Sequence, residues 1–270
     1  MPGNFTRVFG GRKPVIAMVH LGALPGAPLH DAEAGLTGLI ENARRDLTAL
    51  QAAGFDAVMF GNENDRPYEF AVDTASTATM AYVIGALRSE IRVPFGVNVL
   101  WDPKSTVALA VATGAVFVRE IMTGAYASDM GLWTADAGAA MRYRDRLGRS
   151  DLAMLYNVSA EFAASLDQRT LAERARSVAF SSIPDAILVS GAITGEAAAM
   201  SDLAAVKKAV PNLPVLANTG VKHATVAEVL SIADGCIVGS SLKTDGDTWK
   251  SVDADRAAEF MRIVRQTRKA

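Results

Sequence analysis

An α/β protein, a single (β/α)8 TIM barrel over residues 1–270 with 1–13 as an N-terminal lead-in, is what this sequence predicts. Three observations carry the prediction. Short apolar runs rich in β-branched residues recur eight times. Longer stretches with helical spacing lie between them. The length of 270 residues also fits the roughly 250 that eight such units occupy.

The first run, residues 14–21, holds Val15, Ile16, Met18 and Val19 and reaches His20 near its end. The others are 55–62, 94–101, 116–120, 152–159, 186–191, 214–220 and 235–240. They are apolar throughout rather than alternating, as suits parallel strands covered on both faces. Residues 38–53 place Leu39, Ile40, Ala43, Leu47 and Leu50 on one broad helical stripe, with Gly54 as the stop. The pattern repeats over 73–91, 136–147, 170–182, 200–210 and 225–233, with a shorter stretch at 106–113. A last helix over 253–268 sets Ala257, Phe260, Met261 and Val264 among basic neighbours, read as a solvated outer face rather than a membrane-surface helix. The rival architecture, an open doubly wound sheet, lacks its G-x-G-x-x-G after the first strand.

Composition bounds the partners. With 27 basic against 29 acidic residues and a formal net charge of −2, nothing favours tracking a nucleic-acid backbone. The hydrophobic fraction of 50% is enough for a sizeable core. One cysteine, Cys236, excludes an internal disulfide framework and fits a reducing, cytoplasmic setting. Residues 1–13 lack the apolar core of a secretory signal, and no run approaches the ~18 apolar residues of a membrane span.

In a barrel, the C-terminal strand ends and the loops after them build the site. Here those ends carry His20, Asn62 and Glu63, Asn98, Arg119 and Glu120, Asn157, Ser190, Asn218 and Ser240. That set is denser in polar groups than turns require. His20 suits a general base, an electrophile or a ligand, the plain alternative being a hydrogen-bonded structural histidine. Glu63 and Glu120 are candidate acid/base carboxyls. Asn62, Asp65, Asn98, Arg119, Asn157, Ser190 and Asn218 are candidate substrate-binding residues. Arg119 and Glu120 are adjacent, so strand alternation allows only one of them to face the lumen directly.

The last two strands look like a phosphate edge. Such a site needs unobstructed backbone N–H groups, hydroxyls and the start of a short helix. Gly220, Gly239, Ser240 and Ser241 supply those types there, and Gly191 extends the edge; two ordinary glycine turns are the alternative reading. The connection over 121–134 is long. With Gly124, Gly131, Tyr126, Trp133 and Asp129 it reads as a mobile lid that orders over ligand, against the alternative of an inert surface excursion. The three histidines, His20, His30 and His223, do not supply a two-histidine metal site on different strands. No lysine falls within a strand interior, so a Schiff base is disfavoured. Cys236 starts the eighth strand, on the stability face. A divalent metal held by His20, Glu63, Asp65, Asp102 or Glu120 stays open; no other cofactor is indicated.

At these residues the chain resembles the BtpA/SgcQ family. The matching stretches are 14–28, the run Asn62, Glu63, Asn64, Asp65, Arg66, Pro67 and Tyr68, then 96–100, 123–125, 141–144, Ser190 and Gly191 with Thr194 and Gly195, and 233–243. The resemblance implies one barrel similar to the ribulose-phosphate-binding barrels. It leaves two kinds of function. Some members are linked to photosystem I biogenesis at the thylakoid membrane; others look like parts of carbohydrate-use operons, where an enzyme is expected. The chain departs from the family pattern at Trp101 and Asp102, at Arg119 and Glu120, and over Asn157 to Glu161. Together these readings give an expected enzyme acting on a phosphorylated small molecule, of sugar-phosphate type, by isomerase, epimerase or lyase chemistry, with a homo-oligomer expected. The alternative is a non-catalytic assembly factor, peripheral to a membrane.

Overall fold

Eight parallel strands close into a barrel in the computed structural model, which describes residues 3–269. They are β1 (Val15–His20), β2 (Ala57–Gly61), β3 (Phe95–Asn98), β4 (Phe117–Glu120), β7 (Ala153–Asn157), β9 (Ala186–Val189), β10 (Val215–Ala217) and β11 (Cys236–Val238). Each is hydrogen-bonded to its sequence neighbour in the barrel, and β11 closes onto β1. The helices α2 (Gly35–Ala53), α3 (Thr74–Leu87), α4 (Pro103–Thr113), α5 (Ala137–Arg146), α6 (Leu171–Ser181), α7 (Met200–Ala209), α8 (Val226–Ile232) and α9 (Ala254–Thr267) cover the outside. The α4 helix begins earlier than its apolar spacing indicated. Asp102 caps it by accepting from Ser105 N, and Pro103 fits the first turn, where its missing N–H costs nothing.

The strands read as continuous apolar runs because both faces are buried. Val15, Ala17 and Val19 face the helices, while Ile16 and Met18 face the lumen with Met59, Phe117, Leu155 and Ile237. Gly96 lies in that lumen, where a Cβ would overlap the Phe117 ring, so the missing side chain makes room for the aromatic. Registers level the strand ends: His20 pairs with Gly61, and Gly61 with Asn98.

Two segments hold more regular structure than the sequence reading assigned to them. The lead-in carries α1 (Asn4–Phe9), which seats Phe5 and Phe9 under the barrel, with the Phe9 and Phe117 rings 5.3 Å apart. Residues 1 and 2 of that lead-in lie outside the described residues. The stretch 121–134 is not an open loop. Strands β5 (Ala125–Ser128) and β6 (Gly131–Thr134) form an antiparallel hairpin, and β8 (Ala163–Ser165) pairs with β5. Tyr126 and Trp133 are already buried, the Trp133 ring standing edge-on to Trp101 at 5.2 Å. The hairpin packs through these two rings, while Leu132 and Asp129 stay exposed.

Candidate active site

Period-two alternation decides what tops the lumen. Counting up from the inward core residues, each strand presents one position at the mouth: His20, Gly61, Asn98, Arg119, Asn157, Ser190, Asn218 and Gly239. Six of these are polar, and two are glycines. The glycines are berths. A Cβ on Gly61 would stand 2.6 Å from Glu63 Oε2, so the Glu63 carboxyl folds back into that space. A Cβ on Gly239 would press on the His20 ring at 3.1 Å.

The polar ring is wired together. Arg119 donates to Asn218 Oδ1 at 3.1 Å and to Asn98 Oδ1. Asn157 and Asn218 each donate to Ser190 Oγ at 2.7 Å. So fixed, the guanidinium stands 3.6 Å from Glu63 Oε1. On the other side, His20 Nε2 lies 3.7 Å from the same oxygen, a close charge-pair approach but too long for a direct hydrogen bond. His20 Nδ1 and Glu63 Oε2 are buried without any partner. Leaving such atoms unpaired costs about 1–3 kcal/mol each.

Arg119 takes the lumen position, and Glu120 reaches the mouth by curling over the strand end. Its Oε1 accepts from Ile121 N at 2.7 Å and its Oε2 from Asn98 Nδ2 at 2.6 Å. Glu161, not singled out as a site residue by its sequence position, joins the mouth from the turn after β7 and accepts from Thr194 Oγ1 at 2.8 Å. Trp101, held at φ +64°, walls the mouth off from the hairpin side.

The site's electrostatics follow from burial. Burial is the main force holding His20 well below its ordinary range, helped by the Lys243 charge, so the imidazole is neutral. Burial raises Glu63 and Glu161, against the Arg119 charge. Burial also pushes Glu120 up to about 8, opposed by its hydrogen bond from Ile121. Between an unfolded value near 4.5 and about 8, folded Glu120 keeps a proton that the unfolded chain releases. Its contribution to stability is therefore present at low pH and lost as pH rises through that window. The thermal midpoint is expected to fall from about pH 5 to pH 8, and Glu120→Gln to remove that part of the drop. An identical drop in the variant would show that Glu120 does not hold the proton.

Not every sequence candidate reaches the mouth. Asn62 accepts from Leu100 N at 2.8 Å and Asp65 from Leu24 N at 2.9 Å, so both brace neighbouring loops. Asn62 follows inward Gly61 and so turns outward. The Gly191 amide donates to Thr219 Oγ1 at 2.6 Å, and a Cβ there would collide with Glu196. Gly220, Gly239 and Ser240 do line the mouth, and Ser240 Oγ lies 2.5 Å from Thr248 Oγ1. Ser241 instead donates to Val221 O at 2.8 Å and faces an adjoining recess. Among the described residues no three His, Cys, Asp or Glu side chains converge as a metal set. Asp102, a candidate ligand, is engaged in capping α4.

A family model described as the BtpA family matches residues 11–266. The chain belongs to the BtpA family. The BtpA-family relatives include the putative sgc region protein SgcQ of Escherichia coli, 48% identical over 97% of this chain and 98% of that protein. Another is the photosystem I biogenesis protein BtpA of Synechocystis, 32% identical over 96% and 90% respectively. Among solved structures, N-(5'-phosphoribosyl)anthranilate isomerase of Pyrococcus furiosus superposes with a TM-score of 0.56 at 13% identity, covering 94% of this BtpA-family chain and all of that one (100%). That likeness is one of fold. In the BtpA-family chain no described helix is long and apolar enough to cross a membrane.

Proposed function

We propose that this BtpA-family barrel is a cytoplasmic enzyme acting on a phosphorylated small molecule of the sugar-phosphate type, by proton transfer of the isomerase, epimerase or lyase kind. The observation that carries the reading is that His20 and Glu63, each with a buried side-chain atom that finds no partner, line one small mouth together with Arg119. Glu63, raised towards neutrality, is suited to take a proton from a carbon beside a carbonyl. Neutral His20 donates a hydrogen bond to the carbonyl oxygen, and Arg119 stabilises the negative charge growing there. Returning the proton to the former carbonyl carbon, while His20 carries the hydroxyl proton across to the former carbonyl oxygen, completes an isomerisation. Returning it to the opposite face completes an epimerisation, for which Glu161 is placed as a second carboxyl. Asn157 and Asn218 orient substrate hydroxyls. Gly220, Gly239 and Ser240 lie where a phosphate would reach the strand ends. Exposed Phe180 and Ile183 at the end of α6 give a homo-oligomer an apolar contact.

Calorimetric titration with a panel of sugar phosphates tests the reading. The wild type is expected to bind at least one of them, and Ser240→Asp to weaken binding by about tenfold or more through charge repulsion. If the wild type binds none, the phosphate reading goes. The relative named for photosystem I biogenesis supports a second reading, an assembly factor that kept the barrel without chemistry. Binding with no exchange of substrate hydrogens for solvent deuterium would favour it.

A further inference from the structure

The mouth between His20 and Glu63 leaves only about 50 Å³ of free space. That is far below the 300–1,000 Å³ typical of a site holding a whole small molecule. Next to it opens a recess of about 620 Å³, outside the ends of β9, β10 and β11. The two share one rim: Thr194, Gly195, Gly220, Gly239 and Ser240 line both. A ligand that reacts at His20 and Glu63 must therefore keep most of its body in the recess.

Two cationic side chains, Arg256 and Lys222, line the recess. Arg256, in the first turn of α9, donates through Nε to Ser241 O at 3.1 Å. That bond holds the guanidinium in place, while its two terminal nitrogens take no protein acceptor among the described residues. Lys222 forms no ion pair among the described residues. His223 Nε2 donates to Arg256 O at 2.8 Å, which ties the histidine to the same turn. Two acidic residues also line the recess. Asp245 is engaged by Lys250 at 2.7 Å, and Glu196 is exposed. The hydroxyls nearest the strand ends are partly spoken for, Ser241 by Val221 O and Ser240 by Thr248.

We propose that this recess is the main berth of the substrate, and that Arg256 and Lys222 grip its phosphate from outside the strand ends. The inference rests on the phosphorylated-substrate reading above and adds the class of molecule. It is an extended phosphate ester whose slim reacting end, a carbonyl carbon and its neighbour, passes the glycine rim to reach His20. A guanidinium pre-fixed through Nε presents its other N–H groups to phosphate oxygens at little further ordering cost.

The probes are inorganic phosphate and the sugar-phosphate panel, titrated into the intact protein. Arg256→Gln is expected to weaken phosphate by about tenfold, Lys222→Gln by several-fold, and both to flatten the salt dependence of binding. Arg256→Lys keeps the charge and is expected to retain binding within about threefold, which separates lost charge from a lost fold. If Arg256→Gln and Lys222→Gln bind like wild type while Ser240→Asp does not, the grip lies at the strand ends and this inference is overturned, with the phosphate reading intact. If the wild type binds neither phosphate nor any panel member, that reading falls first and this one with it.

Discussion

Lys243→Met is expected to destabilise the fold by about 3–5 kcal/mol. Lys243 is among the largest fully buried side chains, 1% exposed, and its Nζ lies 2.8 Å from Asp46 Oδ2. The other oxygen of Asp46 accepts from Val252 N at 2.9 Å. The pair joins α2 to the segment after β11, across the seam where the last strand meets the first. Methionine fills the space but leaves Asp46, 4% exposed, with no cation to neutralise it. An unpaired buried charge is the costly outcome; the intact pair itself contributes far less, because desolvation offsets most of its attraction. The double variant Asp46→Leu with Lys243→Met is therefore expected to recover much of the loss. Urea unfolding of the three proteins measures both effects. A single variant within about 1 kcal/mol of wild type would show that the pair does not hold the seam.

Glu63→Gln is expected to lower turnover by about 10²- to 10⁴-fold, the usual worth of a positioned acid or base. The substitution is nearly isosteric, and a neutral amide suits a buried berth, so ligand affinity and thermal stability should change little. Gly61 provides that berth, and Gly61→Ala should therefore mimic the loss by pushing the carboxyl out of place. The measurement is kcat against ligand Kd for the substrate found by titration, or solvent deuterium uptake into it. Turnover unchanged in Glu63→Gln would remove the carboxyl from the chemistry and leave His20 and Glu161 as the groups to test.

The barrel was legible because its strands are buried on both faces and read as unbroken apolar runs. His20 was legible for a sharper reason. It stands two positions past Met18 and four past Ile16, so the same alternation that builds the lumen delivers it to the mouth. That count, applied strictly, also separates Arg119 from Glu120 and turns Asn62 outward, where the sequence reading had grouped it with the binding residues. Gly61 and Gly239 could not be read as berths, since an absent side chain says nothing until its neighbour is placed. Glu161 was hidden by irregular backbone: after β7 the chain turns at Phe162, φ +56°, and no periodicity survives to carry the carboxyl inward. Arg256 was hidden by distance in the chain, lying on an outer helix that packs back over the eighth strand's loop.

The six-residue helix under the barrel sets an order on synthesis. Asn4 N donates to Asp185 Oδ1, a partner 181 positions later, and Phe9 packs at a tilt against a ring from the fourth barrel strand. The Asn4 amide thus finds its acceptor only once residue 185 is in place. Contacts between such distant positions slow assembly, because loop closure precedes their reward. The same placement sets the helix beneath the floor, on the side away from the reactive groups.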